Sequence, residues 1–221
     1  MKTRNQRNRM APASKNSIPC VSVDPKVKKT VWARIQNEAG LTLIELLTVI
    51  AVIGILGSVA ISNFSDWLYR YQADSEANKL YFDLMAAKQL AIRSNSTVIV
   101  TFNSSSGFYS IHNDLDRDGS VDTGETVKTV PLENDINYGI SSGTLGVWGT
   151  AVSSPIALNG ATQVKFYSWG QADRSGALYL IPASDLVTNE KQRQRAVKII
   201  QATGNIEVMR YDGTGSPGPW S

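Results

Sequence analysis

The sequence predicts an α+β protein in which one long N-terminal helix packs on an antiparallel β-sheet. An apolar run over residues 41–61 leads without a break into a helical pattern that continues to about Arg93. Segments rich in β-branched and aromatic residues then alternate with connections of Gly, Ser, Asn and Asp as far as Tyr211. The 221 residues are enough for one modest folded domain but cramped for two.

Positive charge is concentrated at the N-terminus. Residues 1–40 carry nine Lys or Arg against Asp24 and Glu38, a net charge of +7, which leaves −4 for residues 41–221 of a chain whose total is +3. We interpret residues 1–40 as a basic leader peptide that is removed, with Met10 as an alternative start. The acidic remainder argues against nucleic acid as a partner, because phosphate binding depends on clustered Lys and Arg.

The apolar run is long enough to cross a membrane. Residues 41–61 read LTLIELLTVIAVIGILGSVAI and contain one ionisable side chain, Glu45. A helix rising about 1.5 Å per residue would cover most of a bilayer core of roughly 30 Å. We therefore predict a transmembrane and assembly helix over residues 41–62, with the leader in the cytoplasm and the C-terminal domain outside. The alternative is a secretory signal peptide with its small-residue cleavage site at residues 57–60.

Glu45 needs an explanation, because a carboxylate at membrane depth costs about 2.5–3.5 kcal/mol on insertion scales. A glutamate near the end of a span can reach the headgroups. Alternatively, cleavage between Gly40 and Leu41 would create an α-ammonium group four residues before Glu45, on the same helix face. That amine, on the same chain or a neighbouring subunit, would pair with the carboxylate.

The segment Gly40 to Leu47, GLTLIELL, resembles the prepilin cleavage and methylation motif G-F-T-L-I-E of type IV pilins and type II secretion pseudopilins. The resemblance implies that prepilin peptidase cuts after Gly40, that the amine of Leu41 is methylated, and that Glu45 guides docking with other pilins through the N-terminal helix. It also implies a single-pass protein of the bacterial inner membrane that later enters a pilus or pseudopilus. Leu41 replaces the usual Phe, and Ser62 stands where many members have a Pro that kinks the helix.

Residues 63–93 are predicted to continue the helix in amphipathic form, because apolar residues recur every three or four positions: Phe64, Leu68, Tyr71, Ala77, Leu80, Tyr81, Leu84, Ala87 and Ala91. Residues 94–212 are predicted to form a β-rich globular domain with strands at 97–102, 107–113, 126–132, 136–141, 163–168, 177–182, 196–201 and 206–211. Residues 213–221 are rich in Gly and Pro and are predicted to be disordered.

A second resemblance lies in the C-terminal half. The segments 164–170, 176–180, 197–200 and 203–208, with a glycine turn at Gly204, are similar to the GspH/FimT branch of pseudopilins and minor pilins. Some members of that branch are linked to DNA uptake through arginines near this turn. Here Asn205 and Glu207 occupy those places, so DNA binding would have to rely on the nearby cations Lys191, Arg193, Arg195 and Lys198.

An acidic loop, residues 114–125, matches the twelve-residue calcium loop of EF-hands. In that pattern the ion is bound by the side chains of Asp114, Asp116 and Asp118 and by the backbone carbonyl of Ser120. Asp122 contacts it directly or through water, and Glu125 binds it with both carboxylate oxygens. Gly119 permits the sharp turn, and Val121 is expected to point inward. The flanking segments are predicted strands, so no EF-hand domain is implied, and an acidic hairpin tip without an ion is the alternative.

No catalytic set is evident in the sequence. His112 is the only histidine, and the only cysteine, Cys20, lies in the leader, so we predict that the chain is not an enzyme. His112 is expected to be structural, and Trp67, Trp148 and Trp169 are expected in the core.

The sequence is consistent with two functions. The first is a minor pilin or pseudopilin subunit of a type IV pilus or a type II secretion pseudopilus. The second is a membrane-tethered extracellular binding module, for example for DNA uptake, that does not polymerise.

Overall fold

A computed structural model describes residue 40, residues 42–213 and residues 218–221, with only the backbone of residues 59–63. The predicted helix is confirmed as one continuous element, α1, from Leu43 to Ser94. It crosses the boundary between two compact units, which divide the chain between Ile55 and Leu56. Within the described residues, no helix has a stretch long and apolar enough to span a bilayer.

One face of α1 enters the hydrophobic core of the second unit. The residues on this face recur at intervals of four and three and are at most 1% exposed: Ala73, Ala77, Leu80, Leu84, Ala87 and Ala91. The predicted stripe is therefore confirmed from Ala77 onward, but it is wrong at Phe64 and Tyr71, which are each 60% exposed.

The strands form two antiparallel sheets, whereas the sequence analysis predicted one. The strands are β1 Thr97–Asn103, β2 Phe108–Asp114, β3 Thr126–Pro131, β4 Ile136–Tyr138, β5 Ile156–Ala157, β6 Gln163–Phe166, β7 Gly176–Pro182, β8 Arg195–Ile200 and β9 Asn205–Arg210. The first sheet has the order β3-β2-β1-β6, and the second has β4-β7-β8-β9 with β5 beside β4 on the same edge of β7. The eight predicted strands are all present; β5 and the short helix α2, Ala183–Thr188, were not predicted.

Strand β7 is buried on both faces. Leu178 and Leu180 point into the core beneath α1, while Ala177 and Tyr179 lie in a second cluster with Trp220. The Nε1 of Trp220 donates a hydrogen bond to the carbonyl of Leu145 at 2.8 Å. The C-terminal residue also pairs with the backbone of β9. The predicted disorder of residues 213–221 is therefore wrong for 218–221, where Trp220 packs on the outer face of β7. Residues 214–217 lie outside the described residues.

Candidate functional sites at the helix start and the acidic loop

The predicted processing site lies at the beginning of α1. Leu41 is outside the described residues, and Gly40 is exposed with no neighbouring atom within 4 Å of the position of a Cβ. Thr42 caps the helix: its Oγ1 accepts a hydrogen bond from the amide of Glu45 at 3.2 Å, and its carbonyl accepts one from Leu46 at 3.2 Å. The motif thus places the helix start two residues after the predicted cleavage point.

Glu45 occupies the first turn of α1 and is exposed. A carboxylate there interacts favourably with the partial positive charge of the helix N-terminus. Thr42 and Glu45 also have the Thr-x-x-Glu spacing of a capping box. Within the part of the chain that the structure describes, no Lys, Arg or His lies within 4 Å of the Glu45 carboxylate. The helix start therefore supplies a partial positive charge but no side-chain cation.

The structure brings three of the six predicted loop ligands together. Carboxylate oxygens of Asp114, Asp116 and Asp118 lie within 4.8 Å of one another. Backbone amides hold these side chains: Gly119 donates to Asp114 Oδ2 at 3.1 Å, and Ser120 donates to Asp118 Oδ1 at 2.7 Å. Gly119 has a φ of +79°, which a residue with a Cβ adopts only at a cost, as the motif requires.

Glu125 and Asp122 lie outside this group of three. The Glu125 carboxylate joins the two ends of the loop, because Oε1 accepts from the amide of Leu115 at 2.8 Å and Oε2 from the amide of Asp122 at 3.0 Å. The Asp122 side chain is exposed, and repulsion from Asp118 is the main reason that its pKa is raised. Val121 is 39% exposed, so the expectation that it points inward is wrong.

His112 is structural, as expected. It is 6% exposed, and its ring nitrogens lie 3.2 Å from the hydroxyl of Thr101 and 3.0 Å from that of Thr126. Burial lowers the pKa of its imidazole, against an opposing effect of the nearby Glu125. The neutral ring therefore links β1, β2 and β3.

The cations considered for DNA binding are mostly paired with carboxylates. Arg193 Nε lies 3.0 Å from Asp185 Oδ2, and Lys198 Nζ lies 3.0 Å from Glu207 Oε2. Arg195 is 5% exposed in its side chain and binds Asp74. Only Lys191 of the four has no such pair within the described ranges. Three of these side chains are therefore poorly placed to contact a phosphate.

The glycine turn between β8 and β9 is docked on α1. Lys88 Nζ donates hydrogen bonds to the carbonyl oxygens of Thr203 at 3.0 Å and Gly204 at 2.9 Å. A Cβ on Gly204 would lie 2.2 Å from the carbonyl oxygen of Gly170. Sequence analysis gave no sign of the Lys88 contact, because 115 residues separate the partners.

Three large aromatic side chains were wrongly expected in the core. Trp67, Trp148 and Trp169 are 56%, 41% and 67% exposed. Trp67 lies between Phe64 and Tyr71, with ring centroids 5.7 Å and 5.6 Å apart. We call Phe64, Trp67 and Tyr71 the aromatic stack; it follows the apolar beginning of α1.

A surface cleft is lined by uncharged residues. It is lined by Tyr179 and by residues between Trp148 and Thr162, among which there is no Asp, Glu, His, Lys or Arg. Burial raises the pKa of Tyr179, whose oxygen accepts a hydrogen bond from the amide of Val147. The lining of this cleft therefore supplies no general acid or base suited to neutral pH.

Comparison with known proteins identifies the family. The family model for type II transport protein GspH matches residues 76–204, more than half of the chain. The chain belongs to the GspH family. The model for the prokaryotic N-terminal methylation motif also matches, over residues 35–61. Both resemblances seen in the sequence are thereby confirmed, and with them the assignment to the minor pilins and pseudopilins.

Comparison with individual proteins gives further similarities. The GspH-family chain is 28% identical over 148 residues to the fimbrial protein EcpC of Eikenella corrodens, covering 66% of this chain and 89% of that protein. Among solved structures, the minor pseudopilin EpsH of Vibrio cholerae is 16% identical with a TM-score of 0.41, and the match covers 63% of this chain and 97% of EpsH. The minor pilin FimU of Pseudomonas aeruginosa is 14% identical with a TM-score of 0.43, covering 63% and 89% of the two chains.

Proposed function

We propose that this chain is a minor pilin or pseudopilin that prepilin peptidase cleaves after Gly40 and that assembles through α1 into a type IV pilus or a type II secretion pseudopilus. Before assembly it is held in the bacterial inner membrane by the beginning of α1, with the β-rich domain outside the cytoplasm. The observation that carries the proposal is the exposed apolar surface at the start of α1.

Every side chain from Leu43 to Ser58 is exposed, although most are large and apolar. Leu43 is 77% exposed and Ile55 is 67% exposed. A contiguous apolar surface of this extent is unusual on a soluble monomer and indicates contact with lipid or with another protein. A pilin uses the same surface for both, first in the bilayer and then against the helices of neighbouring subunits.

The aromatic stack, further along α1, is also exposed. Phe64, Trp67 and Tyr71 are all at least 56% exposed, and they stand before the point at which α1 enters the core at Ala73. Exposed aromatic residues are enriched at protein interfaces because they bury a large area at little cost in conformational entropy. We place the aromatic stack at the contact with a neighbouring subunit.

The tethered DNA-binding alternative receives no support from the described surface. Three of the four cations near the last turn are paired with carboxylates, and the chain after residue 40 has a net charge of −4. Non-specific DNA binding requires several accessible Lys or Arg side chains acting together.

Processing can be tested directly by mass spectrometry of the protein purified from its native host. We expect a mature chain that begins at Leu41 and carries one additional methyl group on its α-amine. Replacing Gly40 with Leu should preserve the full-length precursor. A native chain that keeps residues 1–40 would contradict the proposal and favour the tether.

Assembly can be tested with Glu45→Gln, which removes the charge and keeps the shape. We expect the variant to reach the membrane normally but to be lost from sheared filaments, because the amine of a neighbouring subunit would have no partner. Glu133→Gln is the matched control, since it removes an exposed carboxylate from the folded domain. Equal incorporation of both variants would remove Glu45 from the mechanism.

A further inference from the structure

We propose that the acidic loop binds one calcium ion, with Asp114, Asp116 and Asp118 as the primary ligands. The loop lies between β2 and β3 and shares no residue with the helix surface proposed for assembly, so this proposal does not depend on filament formation. Two observations on the described residues support it: a buried oxygen of Asp114 has no hydrogen-bond partner among them, and none of their Lys, Arg or His side chains lies within 4 Å of the three carboxylates.

The Asp114 carboxylate is buried and only half satisfied. The residue is 1% exposed, and while Oδ2 accepts a hydrogen bond from Gly119, Oδ1 is buried with no hydrogen-bond partner among the described residues. A buried carboxylate oxygen without a donor is strongly unfavourable, and native proteins rarely leave one in that state. Because Asp114 belongs to the group of three, a cation placed there would satisfy it.

The negative charge of the group is not balanced by ion pairs. Within the described part of the chain, no Lys, Arg or His side chain lies within 4 Å of the carboxylates of Asp114, Asp116 or Asp118. The guanidinium of Arg117, within the loop, donates to the carbonyl of Asn95 at 3.2 Å. Lys165 approaches the loop, but its Nζ binds the carbonyl of Gly119.

The available donors favour calcium. The side chains in the group offer only carboxylate oxygens, and the two aspartates after Asp114 are exposed, so solvent can complete the coordination. Calcium accepts six to eight oxygen ligands in flexible geometry, whereas magnesium requires a stricter octahedron and zinc prefers nitrogen or sulfur. The twelve-residue spacing would give the remaining positions to the Ser120 carbonyl, Asp122 and Glu125. In the structure the side chains of Asp122 and Glu125 lie outside the group of three, so binding through them requires the loop to rearrange.

Calcium bound here would stabilise the junction between the first sheet and the end of α1. Arg117 links the loop to Asn95, directly after α1, and Lys165 links it to β6. Ser96 Oγ also donates to Oδ1 of Asn113 at the end of β2. Ordering the loop would therefore make this corner of the subunit depend on external calcium.

The test uses the full-length chain in detergent, stripped with a chelator and titrated with calcium chloride in a calorimeter. We expect one site with a dissociation constant between about 10⁻⁴ and 10⁻³ M, the range of extracellular calcium modules. The melting temperature should rise with calcium and fall back when chelator is added. Magnesium chloride at the same concentration should raise the melting temperature clearly less than calcium chloride does.

The variant Asp116→Asn/Asp118→Asn removes two exposed ligands without disturbing the buried Asp114. We expect it to fold and to bind calcium at least about tenfold more weakly, because affinity follows the number of charged ligands. Asp135→Asn is the matched control: it changes an exposed Asp at a turn with a φ of +60°, which Asn also accepts. The proposal would be overturned if the original chain showed neither a heat of calcium binding nor a rise in melting temperature. It would also be overturned if the double variant bound calcium as tightly as the original chain, or if magnesium raised the melting temperature as much as calcium does.

Discussion

The carboxylate of Asp74 on α1 receives the guanidinium of Arg195 on β8 in a two-point contact, through Nε to Oδ1 and through Nη2 to Oδ2 at 3.2 Å. The Arg195 side chain is 5% exposed and that of Asp74 is 24% exposed. Two further hydrogen bonds from Arg195 reach the carbonyl oxygens of Gln192 and Gln194. The pair therefore fastens the helix to the second sheet.

Replacing Arg195 with Met should destabilise the protein by about 3 kcal/mol, because it removes the buried guanidinium from Asp74 and from the carbonyl of Gln192. The carbonyl of Gln194 keeps a hydrogen bond from the amide of Tyr211. Urea unfolding of the full chain in detergent would measure the loss. Arg210→Ala is the control: Arg210 also contacts Asp74, at 3.1 Å, but its side chain is 66% exposed, so we expect a loss below about 1 kcal/mol. Equal losses in both variants would show that the buried contact adds nothing.

The Asp74 contact should also appear as a dependence of stability on pH. Burial alone would raise the pKa of Asp74, but the hydrogen bonds and charges of Arg195 and Arg210 outweigh it and lower the pKa below 3.8. The folded state therefore binds the proton less readily than the unfolded state. The resulting stabilisation is complete above pH 3.8 and is lost as the pH falls through the pKa of the folded state.

Asp74→Asn isolates this effect. The difference in unfolding free energy between the original chain and the variant should be constant near neutral pH and should shrink on acidification below about pH 4. Asp185→Asn is a contrasting variant, because burial raises the pKa of Asp185 despite the opposing charge of Arg193. For Asp185→Asn, the unfolding free energy of the original chain should rise relative to that of the variant as the pH falls.

Two tryptophans should separate assembly from folding. Trp67→Ala changes a side chain that is 56% exposed, so we expect a stability change within about 0.5 kcal/mol but poorer incorporation into filaments. Trp220→Ala removes a side chain that is 4% exposed, and the loss should be about 3–5 kcal/mol. Thermal melts and filament yields of both variants test the two expectations together. Unchanged filament yield for Trp67→Ala would exclude the aromatic stack from the interface.

Gly204→Ala should weaken the turn that Lys88 holds. The added Cβ would lie 2.2 Å from the Gly170 carbonyl oxygen, and the backbone has a φ of +56°. Gly160→Ala provides the matched control, because its φ is +81° and nothing lies within 4 Å of the added atom. Gly160→Ala should cost about 1–2 kcal/mol from the backbone alone, and Gly204→Ala should cost more. Similar melting temperatures would show that the turn relaxes freely.

The β-strands were largely predictable because their signals are local. Each predicted strand combines β-branched or aromatic residues with flanking turn residues, and the register of β1 with β2 follows from a short connection after Asn103. Strand β5 was missed because its two residues, Ile156 and Ala157, carry no pattern of their own. Its position is fixed by pairing with Leu178 and Ala177 of β7.

Burial along α1 was only partly predictable. From Ala77 onward the apolar spacing gave the correct face, because that part of the helix lies beneath the sheets. The same spacing failed at Tyr71, where the helix has not yet reached the core, and Glu76 proved to be 2% exposed although it is charged. Lys79 lies 3.6 Å from Glu76, and Asn134 donates to its other oxygen.

The sequence by itself determined the family, the helix start and the twelve-residue acidic loop, because each depends on residues adjacent in the chain. Only the tertiary structure decided that Asp74 meets Arg195, that Trp220 covers β7, and that a buried oxygen of Asp114 finds no partner in the part of the chain that the structure describes. Such contacts join residues far apart in sequence, or depend on which surfaces the fold removes from water. Their free energies arise from packing and desolvation, which no local pattern of residues records.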